Sequence, residues 1–173
     1  MTTQLALIFT SKNDQLFYTI GKRQVFMDKF VKQYPIIVDD LVRWGDMDAF
    51  GHVNNTMYFR YFEQARIGYF EQIDAMAYMQ EHAIGPILAE TRCRFKAPLK
   101  APDTIKIGAV IAEITEHKLI MKYAVWSNTL QRVVAEGDGV IVFVDYRAHK
   151  KVPVPALIQT KIAKLQPELF PEH

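Results

Sequence analysis

The chain has 173 residues, half of them hydrophobic and 23% charged, with a net charge of +2. That balance suits one globular domain with a full apolar core and excludes a disordered chain. A net charge of +2 is too small to point to nucleic acid. No run approaches the roughly 18 apolar residues of a membrane helix, so a membrane is not expected as a partner either. The single cysteine, Cys93, permits no intrachain disulfide and fits a reducing, cytoplasmic setting. Leu5 to Phe9 is apolar, but no basic segment precedes it, and a secretory signal is not expected.

Residues 1–26 show no clear period and read as an N-terminal extension of unknown role, with a single domain over 27–173. From Tyr34 to Arg43 the chain carries β-branched residues bounded by Pro35 and by Gly45-Asp46, which predicts a strand. A loop follows over 44–55, and Asn55-Thr56 offers an N-cap of the preferred kind. Met57, Tyr58, Tyr61, Phe62, Ala65, Tyr69 and Ile73 then recur three and four apart, which predicts a helix to about Ile73. Phe59 and Phe70 widen its apolar stripe, so most of this helix requires burial.

The rest reads mainly as strands. Between Ile87 and Ala97 the alternation places Ile87, Ala89, Thr91, Cys93 and Phe95 on one face and Glu90, Arg92, Arg94 and Lys96 on the other. Further strands are predicted over Thr104–Glu116, Lys118–Ser127 and Val133–Asp145, the last with Gly137 and Gly139 marking a bend or a close approach. Pro155 to Gln166 reads as a short amphipathic helix. A strand, a helix and then consecutive antiparallel strands define an α+β domain. One sheet curling around one buried helix is the economical arrangement.

The loop holds Asp46, Asp48 and His52 just before the helix. Three readings of them stand open. Asp residues in a turn commonly bond local N–H groups. Asp-x-Asp with a nearby His offers hard metal ligands, though His82, His117 and His149 lie scattered and complete no shell, so no metal is expected. The third reading is carboxylate-based acyl hydrolysis, with helix N–H groups holding a carbonyl oxygen and the aromatic helix lining an apolar pocket. Cys93 reads as a small strand residue facing the core rather than a nucleophile, since no activating partner lies near it in sequence.

The run Gly45-Asp46-Met47-Asp48-Ala49-Phe50-Gly51-His52-Val53-Asn54-Asn55, followed by Tyr58 and by Tyr61-Phe62-Glu63-Gln64-Ala65-Arg66, resembles the signature of hotdog-fold acyl-CoA thioesterases, the 4-hydroxybenzoyl-CoA thioesterase-like family. The resemblance covers about residues 33–150 and implies a hotdog fold, an antiparallel sheet wrapped around one long central helix. It implies acyl-CoA as substrate, no cofactor, and a homodimer or a tetramer built as a dimer of dimers, with active sites at subunit interfaces. The family's catalytic carboxylate falls on Asp48, as nucleophile or general base, and its oxyanion contact on the backbone N–H of Asn55. His52 and Asn54 match the Gly-His-Val-Asn-Asn subtype, in which the loop shapes the site and His52 is a candidate for substrate or water contact. Tyr58 is a candidate for the acyl pocket, and Arg94 and Lys96, with Arg92 and Lys100 nearby, for the coenzyme A phosphates. Glu63 and Arg66 are spaced to pair with each other. Two other functions fit the same fold: hydration or dehydration of an acyl thioester through His52, and acyl-CoA binding without turnover.

Overall fold

The structure, a computed structural model, describes residues 24–170. Its core is a six-stranded antiparallel sheet in the order β1-β3-β4-β5-β2. The strands are β1 (Ile36–Val42), β2 (Ile84–Phe95), β3 (Asp103–Ile114), β4 (Lys118–Ser127), β5 (Arg132–Asp145) and β6 (Lys150–Val152). The short β6 pairs with the end of β5, beyond the residues that β4 reaches. The helices are α1 over 24–33, α2 (Asn55–Gln72), α3 (Met76–His82) and α4 (Ala156–Leu165).

Helix α2 carries the predicted stripe. Tyr58, Tyr61, Phe62, Ala65, Tyr69 and Phe70 are all buried against the concave face of the sheet. That face is built from Ile105, Ile107, Ala109 and Ile111 of β3 and from Leu119, Met121, Tyr123 and Val125 of β4, as the alternation required. Gly137 and Gly139 of β5 are both points of close approach. A side chain at Gly137 would meet the Phe62 ring and the Arg92 carbonyl, and one at Gly139 would meet Leu88 and the Tyr123 hydroxyl. The missing side chains let the large rings of α2 and β4 lie close to the sheet.

Four sequence-based expectations need correction. The N-cap of α2 is Asn54, whose side chain accepts from Thr56 N–H at 3.0 Å and from Thr56 Oγ1 at 2.9 Å, and the helix ends at Gln72. In β2 the register shifts between Leu88 and Glu90, leaving Ala89 as the extra residue of a bulge. Ile87 therefore stands opposite Val142 on the outer face, while Leu88 lies opposite the buried Ile141 on the inner one. A slip of one residue inverts every side chain beyond it, so the predicted face holds only from Thr91 to Phe95. Helix α3 and strand β6 fall where no element was expected. Finally, α1 spans 24–33, so a boundary after residue 26 cuts a helix; residues 1–23 lie outside the described residues.

Helix α1 lies on the convex face of the sheet. Phe30 and the following Tyr34 pack with Ala124 and Trp126 of β4 into a second, smaller apolar cluster. Phe30 and Trp126 meet at a ring-centroid separation of 5.8 Å. Gly108 of β3 makes room for Tyr34, since a Cβ there would collide with the tyrosine ring.

Candidate active site

The motif loop is shaped by two carboxylates with different tasks. Asp46 is buried and accepts from Arg43 N–H at 2.8 Å and from Tyr61 Oη at 3.2 Å, so it ties the loop to the middle of α2. Burial and the adjacent Asp46 carboxylate raise the Tyr61 phenol far above its ordinary pKa, so Tyr61 stays a hydrogen-bond donor. Asp48 lies two residues on, in a tight turn closed by Asp48 N–H to His52 C=O at 2.7 Å and Gly51 N–H to Asp48 C=O at 3.0 Å. Gly51 sits at φ +72, where glycine is the residue of choice. Asp48 Oδ1 accepts from Phe50 N–H at 2.8 Å and His52 N–H at 3.4 Å. Oδ2 takes no hydrogen bond among the described residues. One oxygen is thus fixed by the loop and the other remains open.

Asp48 lines a cleft of about 430 Å³ together with His52, Val53, Asn55, Tyr58 and the segment from Phe95 to Pro98. Val53 N–H bonds Leu99 C=O at 2.9 Å and Asn54 N–H bonds Asp46 C=O at 2.8 Å, which fixes the loop against the chain after β2. The Asn54 side chain is consumed in capping Thr56, and the Asn55 N–H at the helix start has no partner among the described residues. A helix-start N–H without an internal partner can donate to a developing oxyanion, and a carboxylate lining the same cleft can act on the carbonyl carbon. Phe95 closes one side, edge-on to Tyr58 at 5.0 Å.

Of the residues singled out from sequence, Asp48, His52, Asn55, Tyr58 and Lys96 line this one cleft. Asn54 does not line it. Arg94 lies elsewhere, in a depression on the convex face with Arg92, Lys122 and Asp138. Arg92 is engaged by Glu90 at 2.6 Å. Glu63 and Arg66 form no ion pair among the described residues; Arg66 Nη1 instead donates to Tyr123 Oη at 3.3 Å, and Glu63 is exposed. Phe95, Ala97 and Pro98 were missed as lining residues. Their signal was present in the Phe-Lys-Ala-Pro run that ends β2, but nothing local says that this run meets the motif loop.

Cys93 stands opposite Gly137 on the inner face of β2, half-buried, and burial pushes its thiol up to about 11. At pH 8 it is therefore almost entirely protonated and a poor nucleophile. Alkylation by iodoacetamide at that pH is expected to run roughly a hundredfold slower than for an unperturbed thiol, with pKa about 8.5. Mass spectrometry of the intact chain over time measures this, and modification as fast as glutathione would contradict it.

No helix among the described residues is long and apolar enough to cross a membrane, and no group of three or more His, Cys, Asp or Glu residues there is placed to hold a metal ion. An antiparallel sheet wrapped around one long buried helix is the hotdog fold. A model of the thioesterase-like superfamily matches residues 42–162, and the chain belongs to that superfamily. The long-chain acyl-CoA thioesterase FadM of Escherichia coli is 22% identical over 124 residues, covering 72% of this chain and 94% of FadM. A Thermus thermophilus thioesterase, solved with coenzyme A and zinc, is 28% identical with a TM-score of 0.68, covering 78% of this chain and 96% of that one. The PA2801 protein of Pseudomonas aeruginosa is 30% identical with a TM-score of 0.66, covering 75% of this chain and 99% of that one.

Proposed function

We propose that this protein hydrolyses acyl-CoA to a free carboxylic acid and coenzyme A, with Asp48 as the catalytic carboxylate. The observation that carries the reading is the asymmetry of Asp48. Oδ1 is held by loop N–H groups, Oδ2 takes no hydrogen bond among the described residues, and Asp48 and Asn55 line the same cleft. In this reading the thioester carbonyl oxygen accepts from Asn55 N–H. Asp48 either attacks the carbonyl carbon, giving a mixed anhydride that water then cleaves, or takes the proton of an attacking water. In both routes the thiolate of coenzyme A leaves and gains a proton. Tyr58 and Phe95 supply an apolar wall for the acyl group, and His52 and Lys96 border the cleft.

The cleft is shallow in one chain, and a second copy is the natural occupant of its open side. Among the described residues strand β2 pairs with β5 alone, and it carries Ile87, Leu88 and Phe95 at 40%, 37% and 49% exposure. Pairing its free edge with the equivalent in another copy covers those residues and removes an unprotected edge. We infer a homodimer, or a tetramer built from dimers, with the sites at the interface, in the reducing cytoplasm that a lone cysteine suits.

The test is thiol release across short, medium, long and aromatic acyl-CoAs, run beside the absorbance of an enoyl-CoA. Release of free thiol supports hydrolysis. Loss of the conjugated double bond without thiol release identifies a hydratase. Tight binding without either identifies a non-catalytic binder.

A further inference from the structure

Helix α1 lies outside residues 42–162, the part of the chain shared with the superfamily, and it builds a cleft of its own. This cleft, about 420 Å³, runs along the flank of α1 on the convex face of the sheet. Its volume falls within the range of about 300–1,000 Å³ typical of small-molecule sites. One wall is apolar, formed by Phe26 and Phe30 from α1 and by Trp126 and Val133 from the sheet. The other lining is cationic, with Lys29 from α1 and with Arg132 and Lys96 from the strands. Among the described residues neither Lys29 nor Arg132 enters an ion pair, and Lys96 is paired with Glu136. Lys96 also lines the Asp48 cleft, so the two clefts meet at that residue.

We propose that the α1 cleft binds the nucleotide end of the acyl-CoA substrate, adenosine 3′,5′-bisphosphate, while the thioester lies at Asp48. The assignment rests on the acyl-CoA reading above. An apolar, partly aromatic wall suits a purine face, and unpaired Lys and Arg side chains suit phosphate groups. The pantetheine arm then passes over Lys96 from one cleft to the other. The extension that precedes the shared domain thereby acts as part of substrate recognition.

The experiment compares one acyl group carried on coenzyme A and on pantetheine, which lacks the nucleotide. It uses the full chain and its Lys29→Gln/Arg132→Gln variant, both of whose substituted residues are exposed. Wild type is expected to show a lower KM for the CoA ester than for the pantetheine ester. The variant raises the KM for the CoA ester about tenfold, the scale of losing a charge-assisted contact, and narrows the gap between the two substrates. An unchanged gap, or an equal loss on both substrates, overturns the proposal. Calorimetry with adenosine 3′,5′-bisphosphate and with inorganic phosphate reads the cleft without any turnover. Binding of the bisphosphate to wild type, weakened about tenfold in the variant, supports it. No binding of the bisphosphate to wild type, or equal binding by wild type and variant, overturns it even if acyl-CoA is hydrolysed. If wild type hydrolyses neither ester, the acyl-CoA reading fails on its own terms and the calorimetry alone decides the cleft.

Discussion

Replacing Gln166 with leucine is expected to destabilise the protein by about 3 kcal/mol or more, roughly 6–12 °C in Tm for a chain of this size. The side chain lies just past α4, is buried, and makes four hydrogen bonds, one of them to the Glu168 carboxylate at 3.3 Å. Oε1 accepts from Tyr69 Oη at 2.6 Å and from Ile111 N–H at 3.0 Å, while Nε2 donates to Ile111 C=O at 3.1 Å. Strand β1 pairs with β3 only as far as Ile36 opposite Ala109, so the backbone of Ile111 has lost its neighbouring strand. The Gln166 amide stands in for that strand and joins β3 to the last turn of α2. Leucine has a similar volume and no polar group, so three buried polar atoms would be left unpaired. Tyr69→Phe removes only one of these bonds and leaves Oε1 with Ile111, so its cost is expected near 1 kcal/mol. Thermal unfolding of the two variants measures the difference, and equal Tm values for Gln166→Leu and wild type would contradict this account of the C-terminal segment.

Asp48→Asn is expected to lower kcat by about 10²–10⁴ when the carboxylate acts as general base, and by more when it is the nucleophile. The amide is isosteric, and its oxygen can still accept from Phe50 and His52 N–H, so the turn persists and Tm should barely move. The amide neither attacks a thioester nor takes a proton from water. The loss should therefore fall on kcat with KM little changed. Asp46→Asn separates position from chemistry. Asp46 is engaged by Arg43 N–H and Tyr61 Oη and does not line the cleft, so its replacement should lower Tm more than Asp48→Asn does. Steady-state kinetics and thermal unfolding of the two variants check the division. A Tm loss for Asp48→Asn with full kcat would invert it.

The contrast between Asp46 and Asp48 shows how far the sequence could be read. Helix α2 and strands β3 to β5 were legible because their apolar residues keep a strict period over ten or more positions. The inner face of β2 was legible only beyond its bulge, from Thr91 to Phe95, since one extra residue at Ala89 reverses the alternation without leaving a mark such as glycine. Helix α3 is a single short element whose N-cap, Ala75, carries no capping side chain. Helix α1 did carry a signal: Met27, Phe30 and Tyr34 recur three and four apart, but the stripe faces the convex side of the sheet instead of the main core. In the site, the motif placed Asp48, His52 and Asn55 in one loop because they are neighbours in the chain. The wall from Phe95 to Pro98 comes from the end of a strand forty residues on, and contacts of the folded chain such as the Val53–Leu99 backbone bond and the Tyr58–Phe95 ring pair bring it there. Arg94 and Lys96, two apart, both border convex-face depressions, and of the two only Lys96 also lines the Asp48 cleft.

The central claim is that water accepts the acyl group of an acyl-CoA in the Asp48 cleft. Turnover in ¹⁸O-labelled water, with free coenzyme A and free acid counted together by mass spectrometry, addresses it most directly. The expected result is equimolar coenzyme A and acid, with heavy oxygen in the carboxylate of the acid. Coenzyme A release without the matching acid, unlabelled acid, or no release from any acyl-CoA in the panel would contradict it.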